Sequence, residues 1–513
     1  MAKSFFHFVL MGSAASAFAI SAAGATDPDA PALRGALYPA DIVATIVVAT
    51  GDGDVSADDA MDETPRISLI APEQSAIARA LGPAAYILDI YAPRETFRAH
   101  VRRAIGRHPA FHAQVSTLDE AAAGRKRARS ALYPQISSQF RGDYVLARDF
   151  ASDTDNVVEA LRPREQFTAG LSASQLVFDG GATFQRIKSA RARQSEFENS
   201  ISARVNDLAF EALTIYHDLL THQALAALGD AIVRRHAEIL SDVRERERLG
   251  AGSKADVTRA GARLAAARAR VSEIRESARL ADVRYQNFFG ERPGALKRPD
   301  IGVLAVDSRE EAVAASMNHN PELAVASARS DASTADYKAA KGDRLPEVRV
   351  SVDAVKFDVF NSGDDFDVRA GVDVQYDIFS GGLRAANIAE AGSRARQAQF
   401  AEEQIRQEIA RDAAFAYERS EGAGERLDAL ADAMIAHDET RDLVLERYRV
   451  ARGDLIDVLQ AENDYFEAAV AYITGLANRD LASYAMMEHT GDLLRFFSPQ
   501  DAENDEFIGG YDG

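Results

Sequence analysis

The 513-residue sequence contains no cysteine. That excludes disulfides, thiol catalysis, zinc thiolates and a lipid-modified cysteine, and it suits an exported protein that avoids stray thiols. Proline is absent from 164 to 292 and again from 347 to 498, so nothing in those stretches forbids very long helices. After the N-terminus no unbroken apolar stretch reaches the ~18 residues of a membrane helix. Positive charge is in deficit. With 59 Lys and Arg against 79 Asp and Glu the net charge is −20, which argues against nucleic acid or an anionic lipid surface as the main partner. No nucleophile–base pair, phosphate loop or metal motif is present, so an enzyme is not expected and no cofactor is implied. His108 and His112 stand four apart, but Pro109 interrupts the helix between them.

Apolar residues make up 47% of the chain, enough to fold. Residues 1–25 read as a secretory signal: Lys3, an apolar stretch from Phe5 to Ile20, and an A-x-A site at Ala23-Gly24-Ala25. Residues 26–94 are rich in Ala, Asp and Pro and read as an acidic, weakly ordered extension carrying one strand or short helix. Asp52, Asp54, Ser56, Asp58 and Glu63 approach calcium-loop spacing. However, Ala57 replaces the required glycine and Asp59 an apolar residue, so a solvated acidic loop is expected. Residues 496–513 read as a disordered acidic tail.

Between these lies a duplication. Pro109, Lys126 and Pro134 match Pro321, Lys338 and Pro346 at an offset of 212. Further on, Phe178-Asp179-Gly180-Gly181 matches Phe379-Ser380-Gly381-Gly382, Tyr216 matches Tyr417, and Gly252, Asp256 and Val257 match Gly453, Asp457 and Val458, all at 201. Repeated glycine and proline at constant offset define two repeats, 95–300 and 301–495. The offsets differ by 212 − 201 = 11 residues, inserted between the two alternating segments of the first repeat. Insertions concentrate in exposed loops, so that connection should be external.

Each repeat opens with two alternating segments, 134–147 and 166–178, then 346–356 and 366–379. Ile136, Phe140, Tyr144 and Leu146 oppose Ser137, Gln139, Arg141 and Asp143; Val368, Ala370, Val372 and Val374 oppose Asp367, Arg369, Gly371 and Asp373. A period of two predicts strands. Their length and their apolar and charged faces suit a tilted strand between lipid and water. A soluble antiparallel sheet with one wet face fits the same pattern. Four strands cannot close a water-filled barrel, and open edges in lipid strand backbone groups at several kcal/mol each. A membrane sheet must therefore be completed by other copies of the chain.

Helices are expected over 182–249 and 254–289, then 383–450 and 454–490. The first is a rod of roughly 100 Å at 1.5 Å per residue. Its Val205, Leu208, Ala212, Ile215 and Leu219 keep the 3-4 spacing of a coiled-coil seam. Gly250 and Gly252 end the first rod and Gly453 the second, while Asp256 and Asp457 enter the first turn of each returning helix. Capping is one account of both aspartates.

The proline before each first strand, the Asp179-Gly180-Gly181 and Ser380-Gly381-Gly382 junctions, and the tips Arg248–Val257 and Tyr448–Leu459 resemble the TolC family of outer-membrane ducts over about 95–495. The resemblance implies a mainly α fold with a membrane β part. Four strands per chain would complete a 12-stranded β-barrel in a homotrimer, continued by a coiled-coil tunnel in the periplasm. It implies outer-membrane lipid around the barrel, and as partners a periplasmic adaptor (membrane fusion protein) and an inner-membrane ABC or RND transporter, with no nucleic acid. It marks Gly250, Gly252 and Gly453 as adaptor-docking positions and Asp457 as lining the aperture. Two departures stand out: Ala451 occupies the second tip's first glycine position, and Gln460 stands where some members carry a further acid. The expected function is passive export, leaning to type I protein secretion through the look of the Leu176–Gly181 junction, with multidrug efflux as the alternative. A periplasmic coiled-coil adaptor or stalk is the alternative of another class, and the lipid-like strand faces argue against it.

Overall fold

The computed structural model describes residues 72–88, 91–147, 164–300, 306–360 and 365–497. The chain opens with helices α1 (Pro72–Leu81) and α2 (Ala85–Leu88), joined by the 3-10 turn Gly82–Ala84. The two-residue strand β1 (Tyr91–Ala92) leads into α3 (Arg94–Arg107) and α4 (Pro109–Ser130). The first repeat continues with β2 (Gln135–Tyr144), β3 (Glu165–Phe178), α5 (Ala182–Arg248) and α6 (Lys254–Phe289). After β4 (Arg298–Pro299), the second runs α7 (Arg309–His319), α8 (Pro321–Gly342), β5 (Glu347–Lys356), β6 (Phe366–Gln375), α9 (Leu383–Arg449) and α10 (Leu455–Thr490), with α11 (Asp492–Phe497) at its end. The long helices are equal in length, 67 residues for α5 and α9 and 36 for α6 and α10.

The four main strands form one antiparallel sheet in the order β2-β3-β5-β6. Its register puts every apolar set on one face. Ile136 sits opposite Ala173, Ala173 opposite Val352, and Val352 opposite Ala370; one step along, Leu171, Ala354 and Val368 line up. The other face carries Ser172 across from Asp353, whose carboxylate accepts its hydroxyl at 2.6 Å. A bulge in β3 between Leu176 and Phe178 holds this arrangement to the strand end. Strict alternation would turn Phe178 to the polar face; one extra residue returns it beside Val348. Phe140, Phe167 and Phe360 cluster on the apolar face, with Phe167 5.0 Å from Phe360. Gly142 makes room for the Phe167 ring, which would lie 2.8 Å from a β-carbon there. This apolar face is uncovered: Val372 is 69% exposed, and Ile136, Phe140, Val368 and Val374 are exposed with it. Among the described residues no further strand pairs with β2 or β6. No helix among the described residues is long and apolar enough to cross a membrane.

Sheet and rods meet through proline. β5 pairs Glu347 with Gln375, and the ladder stops there because Pro346 has no N–H to give. The expected strand over 366–379 is therefore shorter, although Tyr376 and Ile378 keep the alternation.

Below the sheet, α8 packs between α5 and α9, while α4 packs on α5. The seam residues Val205, Leu208, Ala212 and Leu219 are buried. Near α5's middle an aromatic core gathers Phe97, Tyr216, Tyr285 and Phe289, closed by Leu493 and Phe497 of α11. The Tyr216 hydroxyl donates to the Lys297 carbonyl at 2.8 Å. Arg298 of β4 forms a two-pronged ion pair with Asp480 at 2.6 and 2.7 Å, out of solvent.

Two expectations are corrected. The acidic extension is not weakly ordered over 72–88: α1 and α2 pack into the helical core. Composition averaged over 26–94 hid the spacing of Ile77, Ala80, Leu81, Ala84, Ala85 and Leu88, which makes one apolar face. The tail likewise begins later than 496, because Phe497 is buried and its carbonyl accepts from Arg102 at 2.8 Å. The signal segment, the calcium-like loop at 52–63 and the inserted strand connection at 148–163 lie outside the described residues.

The register makes a testable separation of faces. Val372→Arg, on the apolar face, should cost roughly 2–4 kcal/mol near the bilayer midplane and deplete heat-labile trimer in membranes. Asp373→Arg, on the opposite face, should leave trimer yield unchanged. Equal loss in the two variants, read on unheated gels, would contradict the assignment.

Candidate functional site

The strand–helix junctions differ between repeats. Gly180 and Gly181 hold left-handed φ values of 68° and 80°, and Gly381 and Gly382 hold 62° and 87°. Asp179 caps α5: its carboxylate accepts from the Gly181 N–H at 3.1 Å and the Thr183 N–H at 2.7 Å, satisfying otherwise orphan helix donors. Ser380 supplies only a backbone bond to Leu383. A β-carbon on Gly180 would lie 2.6 Å from the Gly342 carbonyl oxygen, and one on Gly342 would lie 2.9 Å from the Ala182 nitrogen. α5 and α8 thus meet backbone to backbone. Gly381 and Gly382 face open space. Sequence reasoning missed Gly342, which has no glycine counterpart in the first repeat.

The two tips share one geometry. After α5, the Gly250 N–H donates to the Glu247 carbonyl at 3.0 Å and the Ala251 N–H to the Arg246 carbonyl at 2.8 Å. After α9, Ala451 donates to Tyr448 at 3.1 Å and Arg452 to Arg447 at 2.9 Å. Both are Schellman closures, which place the residue after the cap in the left-handed region. Gly250 does this at φ 73° without strain; Ala451 does it at φ 58°, where its β-carbon crowds the carbonyl. The second tip keeps the fold of the first despite lacking the glycine.

Gly252 and Gly453 serve the turn itself. Added β-carbons would stand 3.1 Å from the Glu247 nitrogen and 3.3 Å from the Tyr448 nitrogen, whereas one on Gly250 would meet nothing within 4 Å. Beyond the tips, Leu249, Val450 and Ile456 are apolar and exposed; they were missed because an isolated apolar residue at a turn carries no periodic signal. Ser253 caps α6, accepting from the Asp256 N–H at 3.1 Å and donating to its carboxylate at 2.7 Å. Asp457 differs. Its neighbour Asp454 makes no side-chain cap, and no hydrogen bond or ion pair reaches the exposed Asp457 carboxylate among the described residues. Gln460 bonds Asp464 at 2.6 Å instead. Arg246 ties the tips together: it donates to the Tyr448 and Arg449 carbonyls at 3.2 and 3.4 Å and lies 4.1 Å from the Tyr448 ring centroid, where helix C-terminus and π-face both favour a cation.

Higher up, α5, α8, α9 and α10 converge on an acidic cleft with Asp207, Glu322, Glu408, Asp412 and Glu488 in its walls. Burial, then the charges of Asp207 and Glu322, pushes the Glu488 carboxyl up to about 7. The Nδ1 of His108 accepts from the Ala110 N–H at 3.2 Å and starts α4. Among the described residues no group of three acids or histidines can hold a metal ion.

The model of the family described as "Outer membrane efflux protein" matches residues 101–290 and 313–492. Outer membrane efflux protein BepC of Brucella suis is 24% identical over 369 residues, covering 71% of this chain and 78% of that protein. Protein CyaE of Bordetella pertussis is 25% identical over 333 residues, covering 62% and 69%. Among solved structures, the outer membrane protein VceC of Vibrio cholerae superposes with a TM-score of 0.67 at 16% identity, covering 77% of this chain and 96% of that one.

Two measurements follow from this geometry. Ala451→Gly should relax the second tip by about 1 kcal/mol, seen as slower amide exchange at Arg452; Gly250→Ala should speed exchange at Ala251. Unchanged exchange in both would mean no strain is held there. At Glu488 the folded pKa lies above the unfolded value of 4.5. Its stabilisation is complete below pH 4.5 and lost as pH rises through about 7. Glu488→Gln should therefore raise the melting temperature at pH 8 and leave it unchanged at pH 4; a shift of the same size at both pH values would contradict this.

Proposed function

Because the chain belongs to the outer membrane efflux protein family, we propose that it is the duct of a tripartite export system, conducting cargo passively while a partner supplies the energy. It is an outer-membrane homotrimer of the TolC type that works with a periplasmic adaptor and an inner-membrane transporter. The observation that carries the duct reading is the sheet: four strands, one continuous apolar face, and two bare edges. In the order β2-β3-β5-β6 neighbouring strands alternate in direction, so β6 of one copy meets β2 of the next antiparallel. Three copies close twelve strands with no edge left in lipid.

The tips are the docking surface in this reading. Gly250, Gly252 and Gly453 shape turns compact enough for a partner helix to approach closely, and Leu249 and Val450 offer the apolar contact. Asp457, with no bond partner among the described residues, is the aperture residue. Three copies near the axis form a ring that attracts cations, and Gln460 leaves that ring single.

For cargo, the Leu176–Gly181 junction favours polypeptide secretion through a type I transporter. A second reading, efflux of small toxic compounds, is favoured by the name of the Brucella suis relative. Identifying the transporter that co-purifies with the trimer separates them. An ATP-driven transporter bound beside a secreted substrate supports the first; a proton-driven drug pump overturns it.

The tip roles have their own check. Leu249→Asp with Val450→Asp should abolish adaptor capture while trimer and surface level stay intact. Asp457→Asn should lower cation preference in planar bilayers. If Asp457 only stabilised the α10 terminus, by ~0.3–1 kcal/mol, that variant would melt lower with unchanged selectivity, and the aperture role would fall.

A further inference from the structure

Residues 72–88 lie outside the stretches that match the family, yet Ala80, Leu81, Ala84, Ala85 and Leu88 among them are buried. Leu81 and Ala84 are 1% and 0% exposed. The segment does not lie along one helix. The 3-10 turn and α2 pack on α5 of the first repeat, and α1 packs on α9 of the second. Ala80, Leu81, Ala84, Ala85 and Leu88 join one apolar cluster with Leu228 of α5, Met434 of α9, and Tyr465 and Ile473 of α10. The Tyr465 hydroxyl donates to the Ala80 carbonyl. The seat on α5, Ala224 to Ile232, is roughly 25–35 Å from the tip at 1.5 Å per residue.

Beside this seat the two hairpins are joined by charge. Arg235 of α5 donates to Glu462 of α10 at 3.0 Å, and Glu462 is 0% exposed. Arg441 of α9 lies 2.7 Å from Asp438 and 4.2 Å from the centre of the Tyr465 ring. Among the described residues the second oxygen of Glu462 has no hydrogen-bond donor. Such a network holds while water is kept out and weakens once its charges can hydrate. Lifting 72–88 uncovers the apolar seat beside this network.

We propose that residues 72–88 are a strap that fastens the second helical hairpin to the first at mid-tunnel, and that its release widens the conducting path. Tightening at this height acts on the tips because α5 and α9 are unbroken rods from seat to tip. The inference rests on the duct reading for its conductance arm and not for its labelling arm.

The absence of cysteine makes the test direct, since any thiol signal comes from an introduced residue. Ala84→Cys in the full-length trimer should resist a maleimide and conduct like the parent. Adding Leu81→Asp, which puts a charge in the apolar seat, should raise labelling at least ten-fold and single-channel conductance several-fold. Tyr465→Phe, which removes only the hydroxyl bond, should raise both by a few-fold, and it decides the matter if the aspartate variant does not assemble. Faster labelling with unchanged conductance overturns the proposal, as does ready labelling of Ala84→Cys alone, or no rise in labelling in any assembled variant. A parent trimer that never conducts, with labelling as expected, would count against the duct reading instead.

Discussion

A backbone N–H or C=O with no partner is tolerable in water and costs several kcal/mol in hydrocarbon. The rest of this architecture depends on that constraint. Among the described residues nothing covers the apolar face of the sheet, and no further strand pairs with its outer strands β2 and β6. In water such a face would aggregate; in lipid such edges would not survive alone. Lipid around the sheet covers the face, and trimerisation closes the edges. The same closure sets the spacing of the helical rods, because only three residues join β3 to α5 and seven join β6 to α9.

Duplication supplies the geometry and the departures from it show where neighbours are expected. Gly180 and Gly342 bring α5 and α8 into backbone contact within one chain. The equivalent Gly381 faces empty space, and α4 packs on α5 without the second long helix that α8 enjoys. In a ring of repeats the missing neighbour is the next copy, so α4 and the start of α9 are two halves of one contact. Asp179 caps its helix with a side chain while Ser380 does not. The first junction is thus self-sufficient and the second is left to the assembly.

Much of this was legible in the sequence because long periodic elements repeat their signal many times. Alternation identified all four strands and their apolar faces, and the register joins those faces into one surface. The 3-4 seam of α5 and the paired glycines identified rods and tips. What escaped was short or non-local. The residues 72–88 have an apolar face only about three turns long inside an acidic stretch, and their burial depends on helices more than a hundred residues away. Gly342 looked like any helix end until α5 was laid against it. At Ala451, which stands where the first tip has glycine, hydrogen bonding of the turn outweighs the strain of one left-handed alanine. The sequence offered capping for both Asp256 and Asp457, and an aperture role for Asp457 alone. The capping bond to Ser253 is present in one and has no counterpart in the other.

The matched rods, 67 residues going out in each repeat and 36 returning, carry a consequence for how such a protein can change length over evolution. One inserted residue turns everything beyond it by about 100° and slides it 1.5 Å, so a seam survives only when whole heptads are gained or lost. A heptad added to one rod must be added to its returning helix, or the hairpin no longer closes. It must also enter the other repeat, or alternate tips end at different heights and present no common plane. The depth to which the tunnel reaches is therefore quantised. It changes by four coordinated insertions of about 10 Å each or not at all, while the loops above the barrel drift freely.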